Sequence, residues 1–231
     1  MIRALLFDCD GTLAANEPLH YRALAAALLA EGVSLGVPEY QALTGLPDPE
    51  AVRAALAAKG REAGDAKVRA LVEVKRSSYR ESLAAGAPPV PGVVEFVRAA
   101  SKSYLLAVAT GAWRDEARAV IDGLGIAGEF RAVVAQEDCA KGKPDPEPFL
   151  KAMAALNASA PAPAPPLVAR DCLVFEDSPH GVAAARAAGM RCVGLTTSHS
   201  GDSLKDADLV AANYRALDLK RVTAFFDRRA R

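Results

Sequence analysis

The short apolar run at residues 4–7 constrains the fold more than any other part of the sequence. It shows no alternation of polar and apolar positions, which is typical of a strand buried on both faces, as in a parallel sheet covered by helices. The run ends abruptly at Asp8 and Asp10, and Gly11 follows. The stretch therefore predicts a buried strand whose carboxyl end carries two acidic side chains that are available for chemistry.

The balance of charges restricts the class of partner. Lys and Arg together number 28, and Asp and Glu also number 28, so the net charge is zero. No block of like charge offers a surface for nucleic acid or for an anionic membrane. We therefore expect a small-molecule partner, bound by a chain of 231 residues that is long enough for one large domain or a domain with a smaller insert.

The cysteines and the N-terminal stretch predict a cytoplasmic protein. The four cysteines lie far apart without C-x-x-C spacing, which argues against a disulfide framework or a structural zinc site. Only four apolar residues separate Arg3 from Asp8, so we expect no signal peptide, and no later run is long enough to span a bilayer. Nothing in the sequence determines the oligomeric state, for which a monomer is the working expectation.

Residues 16–85 predict an all-helical block. Residues 17–31 place apolar side chains at helical spacing, with Asn16 as the N-cap and Gly32 as the C-cap. Residues 86–92 contain three prolines and predict a stiff connection back to the main domain. Further helices are predicted at residues 37–45, 48–59 and 65–83.

From Tyr104 onward, short β-branched or leucine-rich runs alternate with helical patterns, which is typical of a parallel sheet covered on both faces. Strands are predicted at residues 104–110, 131–135, 171–176, 191–195 and 208–210. Helices are predicted at residues 91–101, 114–124, 146–156 and 180–188. The fold class is therefore α/β, a Rossmann-like parallel sheet sandwiched by helices.

Side chains that can carry chemistry follow the predicted strands. Ligands of a parallel sheet bind beyond the carboxyl ends of its strands, so residues at these positions are candidate site residues. In strand order they are Asp8 and Asp10, Thr110 and Gly111, Lys143, and Glu176 and Asp177. Two pairs of acidic residues, a hydroxyl and a lysine predict a phosphoryl-transfer site with a carboxylate nucleophile and a divalent cation.

Each of these residues also has a purely structural interpretation. Asp8 and Asp10 suit a turn after a strand, and Asp177 suits the N-terminus of a helix, where carboxylates are favoured. Lys141 competes with Lys143, because both lie in the same loop. The functional interpretation is favoured because all of these residues occur together.

Four motifs, in this order along the chain, resemble those of the haloacid dehalogenase superfamily. They are FDCDGT, VAT with Gly111, KGKPDPEPF and VFEDSPHG. Spacing and detail are most similar to the subgroup that contains β-phosphoglucomutase, the CbbY-type proteins and small sugar-phosphate phosphatases. The resemblance covers essentially the whole chain, and it implies a catalytic core at residues 1–15 and 86–231 with an inserted helical cap domain of the C1 type at residues 16–85.

The resemblance implies a Mg²⁺-dependent phosphatase that hydrolyses a small phosphomonoester, such as a sugar phosphate, through an aspartyl-phosphate. Asp8 would attack phosphorus, and Asp10 would protonate the leaving oxygen and then deprotonate the attacking water. Lys143 would offset the negative charge that gathers when an anion attacks an anion.

The same resemblance assigns residues to the phosphate and to the metal. Gly11 would let the backbone turn closely past the phosphate, and Thr12 would support that loop. Thr110 and the amide of Gly111 would hold phosphate oxygens. The Mg²⁺ ligands implied are Asp8, the carbonyl of Asp10 and Asp177, with Glu176 as a partner in the outer sphere.

Residues of the helical block are implied to face the substrate. His20 would assist acid–base chemistry, as a histidine does at this place in the mutase-like relatives. Gly45 belongs to a stretch that resembles the substrate-specificity loop of the cap. Lys75 and Tyr79 match a K-x-x-x-Y helix and share a helix face, because they are four residues apart.

Two departures from the pattern of the subgroup affect the expected activity. Residues 14–16 read Ala-Ala-Asn, where relatives usually have an acidic residue followed by a serine or threonine. Asp48 stands where the mutase carries an arginine for the second phosphate of its substrate. Without that arginine a bisphosphate intermediate is harder to bind, which favours a monophosphatase.

Three alternatives remain open. A β-phosphoglucomutase-like phosphomutase would form an isomerised sugar phosphate and would depend on added bisphosphate. A haloacid dehalogenase shares the nucleophile but needs neither Asp10 nor magnesium. A phosphoryl-accepting receiver domain uses similar residues, but its phosphoacceptor follows the third strand of a much shorter chain.

Overall fold

A computed structural model describes residues 1–44 and 46–229 of the chain. These residues form two compact units, which differ in secondary structure. The core unit comprises Met1–Ala15 and the described residues from Ala87 onward, and the helical unit comprises Asn16–Gly86 without residue 45. Among the described residues, no helix is both long and apolar enough to cross a membrane.

The core unit is built on a six-stranded sheet in which every adjacent pair of strands is parallel. Its order is β3-β2-β1-β4-β5-β6, so the first strand of the chain lies in the middle. This arrangement confirms the predicted α/β class with a parallel sheet. The strands are β1 (Ala4–Phe7), β2 (Leu105–Ala109), β3 (Ala132–Val134), β4 (Cys172–Glu176), β5 (Arg191–Leu195) and β6 (Leu209–Ala211).

The register of β1 explains why its carboxyl end is available for chemistry. Phe7 pairs with Val108 of β2 on one side and with Phe175 of β4 on the other. Because the chain connects outward in opposite directions from β1 and β4, a crevice opens at the carboxyl ends of these two strands. The residues that follow Phe7 and Phe175 therefore lie next to each other at this edge of the sheet.

The helical unit contains α1 (Glu17–Leu29), α2 (Val37–Gln41), α3 (Asp48–Ala57) and α4 (Asp65–Ala84). Its apolar side chains form a hydrophobic core of their own, to which Leu28, Leu56 and Leu71 contribute from three of these helices. The core unit adds α5 (Val93–Ala100), α6 (Arg114–Gly123), α7 (Glu147–Asn157), α8 (Pro179–Ala187) and α9 (Leu219–Arg229).

Three details of the helices differ from the sequence-based predictions. Helix α2 ends at Gln41 instead of at residue 45, because the Thr44 hydroxyl donates to the Gln41 carbonyl and the chain continues in turns. Helix α9 was not predicted, although Leu219, Val222 and Phe226 recur at helical spacing and the side chains of Val222 and Phe226 are buried. Asn16 is the N-cap residue of α1, as predicted, but its side chain makes no capping bond; its amide donates to the Tyr79 hydroxyl.

Helix α1 was predicted over residues 17–31 with Gly32 as the C-cap; it ends at Leu29 with Ala30 as the C-cap, and Gly32 belongs to the turn that terminates it. The Val33 N–H donates to the Leu28 carbonyl at 3.0 Å, and the Gly32 N–H donates to the Leu29 carbonyl at 2.8 Å. This is the Schellman arrangement, in which the residue after the helix adopts a left-handed conformation. Gly32 has φ +70°, a conformation that glycine adopts without strain.

Two apolar layers hold the sheet of the core unit. Leu6 and Val174 contribute to a cluster shared with α7 and α8 on one face. On the other face the Phe7 and Phe175 rings stack with 4.9 Å between centroids, and the Phe96 ring of α5 meets Phe175 edge-on at 5.3 Å. Phe7 and Phe175 are fully buried, and each immediately precedes an acidic residue of the chain.

We expect Phe175→Ala to lower the free energy of unfolding by about 3–5 kcal/mol, because it empties a fully buried aromatic site. Urea denaturation, followed by the fluorescence of Trp113, the single tryptophan, measures this change in the core unit. The control is Leu150→Ala on the exposed side of α7, where a change below about 1 kcal/mol is expected. Equal losses in the two variants would contradict the assigned role of the aromatic layer.

Candidate active site

Three buried carboxylates meet at the carboxyl ends of β1 and β4. They belong to Asp8, Glu176 and Asp177, and one oxygen from each lies within 4.8 Å of the others. Asp8 follows β1 directly, Glu176 is the last residue of β4, and Asp177 comes next. The parallel pairing of β1 with β4 therefore brings together residues that are about 170 positions apart in sequence.

Lys143 joins two of these carboxylates. Its Nζ lies 2.5 Å from Asp8 Oδ1 and 2.6 Å from Glu176 Oε1, and its side chain is only 9% exposed. The ammonium also lies 4.9 Å from the centroid of the Phe149 ring, within cation–π range. The lysine predicted from the loop after the third strand thus forms part of the acidic cluster.

The charges of this site act against one another. The pKa of Asp8 is raised overall, and burial is the largest cause of the increase. The Lys143 ammonium lowers this pKa, whereas the carboxylates of Glu176 and Asp10 raise it further. Burial lowers the pKa of Lys143, but the charges of Asp8 and Glu176 outweigh burial, so that pKa is raised overall. Lys143 thus stays charged, and one ammonium balances only part of the negative charge of the site.

The site fits a divalent cation of the magnesium type. The donors gathered at the cluster are carboxylate oxygens, the ligand type that hard cations prefer. A dication among them would favour the ionised forms that burial disfavours. Both the donor chemistry and the surplus of negative charge therefore agree with the Mg²⁺ implied by the sequence.

Glu176 is held on both of its oxygens by protein donors. Oε1 accepts from Lys143, and Oε2 accepts from the N–H groups of Asp177 and Ser178 at 2.9 Å each and from the Ser178 hydroxyl at 3.0 Å. A Cβ on Gly181 would come within 1.8 Å of the Glu176 carboxylate. Gly181, which was not predicted from the sequence, makes room for this carboxylate at the first turn of α8.

Asp177 is held by the loop that follows β1. The Thr12 hydroxyl donates to Asp177 Oδ1 at 3.2 Å. Gly11 has φ +77°, and a Cβ there would lie 1.9 Å from Asp177 Oδ2. The Gly11 N–H donates to the Ala14 carbonyl at 2.7 Å, so this N–H is used inside the turn. In the structure, Gly11 and Thr12 contact Asp177, whereas the sequence assigned them to the loop around the phosphate.

The remaining predicted residues of the core unit lie at the same edge of the sheet. Thr110 follows β2 and is buried, and its hydroxyl accepts a hydrogen bond from the Ala112 N–H at 3.0 Å. Gly111 is exposed beside it. Asp10 is partly exposed and acts on the pKa of Asp8 through its charge. These residues surround the ends of β1 and β2, which are neighbours in the sheet.

Glu147 anchors the loop that carries Lys143. Its carboxylate accepts from the N–H groups of Ala140 at 3.0 Å and Lys141 at 2.8 Å. The Lys151 ammonium, followed by these two N–H groups, lowers the pKa of Glu147 to about 2. The Lys141 side chain is 75% exposed and lies 3.7 Å from Asp145, so Lys143 and not Lys141 reaches the cluster.

A second polar cluster lies within the helical unit and includes three of the predicted residues. The His20 ring stacks on the Tyr79 ring at 3.8 Å between centroids, and the Tyr79 hydroxyl accepts from Asn16. Lys75 is almost fully buried, with its Nζ 2.8 Å from Asp48 Oδ1 and 5.2 Å from the centroid of the Tyr79 ring. The predicted Gly45 lies outside the described residues.

These features together are those of a hydrolase of the haloacid dehalogenase type. The family model for haloacid dehalogenase-like hydrolases matches residues 2–189. The chain therefore belongs to this family, as the four motifs indicated. CbbY and β-phosphoglucomutase are also among the matching proteins, which assigns the chain to their subgroup.

Named relatives cover nearly the whole chain. Validoxylamine A 7'-phosphate phosphatase of Streptomyces hygroscopicus subsp. limoneus is 33% identical over 211 residues, which cover 91% of this chain and 93% of the relative. Fructose-1-phosphate phosphatase YqaB of Escherichia coli is 32% identical and covers 82% of this chain and 94% of the relative. The structure of CbbY from Rhodobacter sphaeroides in complex with phosphate has a TM-score of 0.80 at 26% identity, covering 93% of this chain and 95% of that one.

We expect Gly181→Ala to lower the free energy of unfolding by about 1–3 kcal/mol, because the added methyl group collides with the Glu176 carboxylate. Gly123→Ala in α6 is the matched control, since a Cβ there would meet no described atom within 4 Å apart from its chain neighbours and the backbone of its own helix. There, alanine is expected to stabilise by up to about 1 kcal/mol through helix propensity. Calorimetric unfolding of both variants tests the pair, and a neutral Gly181→Ala would refute the tight packing around Glu176.

Proposed function

We propose that this protein is a Mg²⁺-dependent phosphatase that hydrolyses a small phosphomonoester, of the sugar phosphate class, through an aspartyl-phosphate. The observation that carries the proposal is the buried carboxylate of Asp8 at the end of the central strand, bonded to Lys143 and adjacent to Glu176 and Asp177. The relatives named as phosphatases of fructose 1-phosphate and validoxylamine A 7'-phosphate support this class of substrate.

The proposed reaction has two steps. In the first, a carboxylate oxygen of Asp8 forms a bond to phosphorus, the ester P–O bond breaks, and Asp10 gives its proton to the leaving oxygen. In the second, Asp10 takes a proton from a water molecule, whose oxygen attacks phosphorus and releases Asp8 and inorganic phosphate. Partial exposure of Asp10 suits a group that must exchange protons with substrate and water.

The chain's other site residues support these steps by charge and position. Lys143 neutralises part of the negative charge where the carboxylate meets the phosphate. Thr110 and Gly111 are proposed to hold phosphate oxygens at the end of β2. Asp8, Asp177 and the carbonyl of Asp10, backed by Glu176, would hold Mg²⁺. When bound, this ion supplies further positive charge against the repulsion between carboxylate and phosphate.

We propose that residues 1–15 and 86–231 carry the chemistry, and that residues 16–85 act as the cap, where His20, Lys75 and Gly45 contribute to substrate selection. Inside the helical unit, the ammonium of Lys75 is already paired with Asp48 at 2.8 and 3.0 Å. A lysine that is neutralised in this way offers little charge to a second phosphate. The Asp48–Lys75 pair therefore favours monophosphate hydrolysis over phosphomutase activity.

We expect Asp8→Asn to abolish the release of inorganic phosphate from a panel of sugar phosphates, since an amide oxygen is a poor nucleophile. Asp10→Asn is expected to lower kcat by about 10²–10⁴-fold, the usual contribution of general acid–base catalysis. Wild type should need added Mg²⁺, and Lys141→Ala should match wild type because that side chain is exposed. Persistent turnover in Asp8→Asn would exclude the proposed nucleophile.

Product analysis separates phosphatase from phosphomutase. With a hexose 1-phosphate, and with or without a hexose bisphosphate, we expect ³¹P NMR to show inorganic phosphate as the product. The physical reason is that the Lys75 ammonium is paired with Asp48, so its charge is already neutralised and attracts a second phosphate only weakly. Formation of a hexose 6-phosphate that depends on the bisphosphate would decide for the mutase.

A further inference from the structure

We propose that Thr197 and His199, in the loop after β5, are positioning residues that hold the Gly11 turn and the backbone of Asp177 in the arrangement that binds Mg²⁺. The inference rests on the proposed function, because it concerns the same metal site. The β5 loop comprises residues 196–200, with the sequence Thr-Thr-Ser-His-Ser. None of these residues has a part in the reaction proposed above.

The β5 loop reaches the site because of the strand order. Strand β5 lies next to β4 and parallel to it, so the loop begins at the edge of the sheet where Asp177 lies. From there the Thr197 hydroxyl donates a hydrogen bond to the carbonyl of Gly11, 186 positions earlier in the chain. This bond connects the turn after β1 with the turn after β5, across β4.

Asp177 and the β5 loop both pack against the same side of Gly11, the side from which a Cβ would project. A Cβ at this position would come within 1.9 Å of Asp177 Oδ2 and within 2.4 Å of the Ser198 hydroxyl oxygen. The hydrogen bond from Thr197 to the Gly11 carbonyl therefore limits how far the Gly11 turn can move away from the Asp177 carboxylate. A bond to the Gly11 carbonyl and close packing against its Cα act on the same turn.

His199 contacts the backbone of Asp177. Its Nδ1 lies 3.0 Å from the backbone carbonyl of Asp177. A carbonyl oxygen can only accept, so Nδ1 must carry the hydrogen, and in the neutral ring Nε2 is unprotonated. Asp177 is thus held at its carbonyl by His199, at its N–H by Glu176 and at its carboxylate by Thr12.

We expect the loss of Thr197 or His199 to reduce the affinity for Mg²⁺ more than the rate of the chemical step. Groups that orient metal ligands typically contribute 10–100-fold to metal affinity or activity. Thr197 and His199 contact backbone atoms of the site and are not assigned to the reacting atoms. Their loss should weaken Mg²⁺ binding, whereas kcat at saturating Mg²⁺ should stay close to that of wild type.

The first experiment measures Mg²⁺ binding directly by calorimetric titration of the full chain. Thr197→Val removes the hydroxyl donor at nearly constant volume, and we expect its Mg²⁺ dissociation constant to rise by about 10-fold or more. Thr197→Ser keeps the donor and should restore the wild-type affinity. Ser200→Ala is the matched control, since Ser200 bonds Ser203 within the same region of the chain.

The outcomes distinguish this inference from the proposed function. If wild type hydrolyses sugar phosphates with Mg²⁺ and Thr197→Val binds Mg²⁺ equally well, the positioning role of Thr197 is refuted and the function stands. If Thr197→Ser is impaired as much as Thr197→Val, the hydroxyl bond is not the cause and the inference also fails. If wild type itself neither binds Mg²⁺ nor hydrolyses phosphomonoesters, both proposals fail.

The second experiment tests His199 without reference to activity or metal. The chain has three histidines, and ¹⁵N NMR at a pH where the rings are neutral reports which ring nitrogen carries the hydrogen. We expect the His199 signals, assigned by their loss in His199→Gln, to show a protonated Nδ1. A neutral ring protonated at Nε2 would show that the bond to the Asp177 carbonyl does not form and would overturn the role of His199.

Discussion

The buried contact between Lys143 and the carboxylates of Asp8 and Glu176 is the interaction on which the site depends. The ammonium and the carboxylates need one another, because the free energy of burying an unpaired charge is much larger than the stabilisation from a single hydrogen bond. The contact also ties three separate segments together, namely the ends of β1 and β4 and the loop before α7. One ammonium against several carboxylates leaves a surplus of negative charge, and this surplus suits a divalent cation.

Around this contact the site is shaped largely by backbone groups. Glu176 accepts hydrogen bonds from two N–H groups and a hydroxyl. The carbonyl of Asp177 accepts a hydrogen bond from His199, and Glu147 accepts one from the backbone just before Lys143. Gly11 and Gly181 lie where a Cβ would touch a carboxylate. Carboxylates held by fixed donors and close packing cannot easily reorient, so the position of each acidic group is set before any ligand arrives.

The helical unit differs from the core unit in how its polar residues are used. It has its own hydrophobic core, and its buried lysine is paired with an aspartate of the same unit. A substitution at either residue of that pair changes the charge of the helical unit. It removes no contact of Lys143, which is paired with Asp8 and Glu176 in the core unit. Under the proposed function, substrate selection can therefore diverge between relatives without altering the residues that carry the chemistry.

Local pattern was sufficient to predict much of the fold and the residues that meet in the buried acidic cluster. The apolar runs marked the strands, and the acidic residues, threonine and lysine just beyond them mark the edge where ligands of a parallel sheet bind, because parallel strands end together. Helix α9 was missed although Leu219, Val222 and Phe226 recur at helical spacing. Asn16 is the N-cap residue of α1, as predicted, but its side chain makes no capping bond and its amide donates to the Tyr79 hydroxyl.

The amino-acid pattern predicts the order of the elements and the residue types at the ends of the strands. The contacts between these groups depend on the folded chain: Lys143 with Asp8 and Glu176, Gly181 with Glu176, and Thr197 with Gly11. The reason is physical. A strand or helix is specified by the spacing of neighbouring side chains, whereas a bond between a hydroxyl and a backbone carbonyl 186 positions away leaves no periodic pattern and exists only once the sheet has brought both ends to one edge.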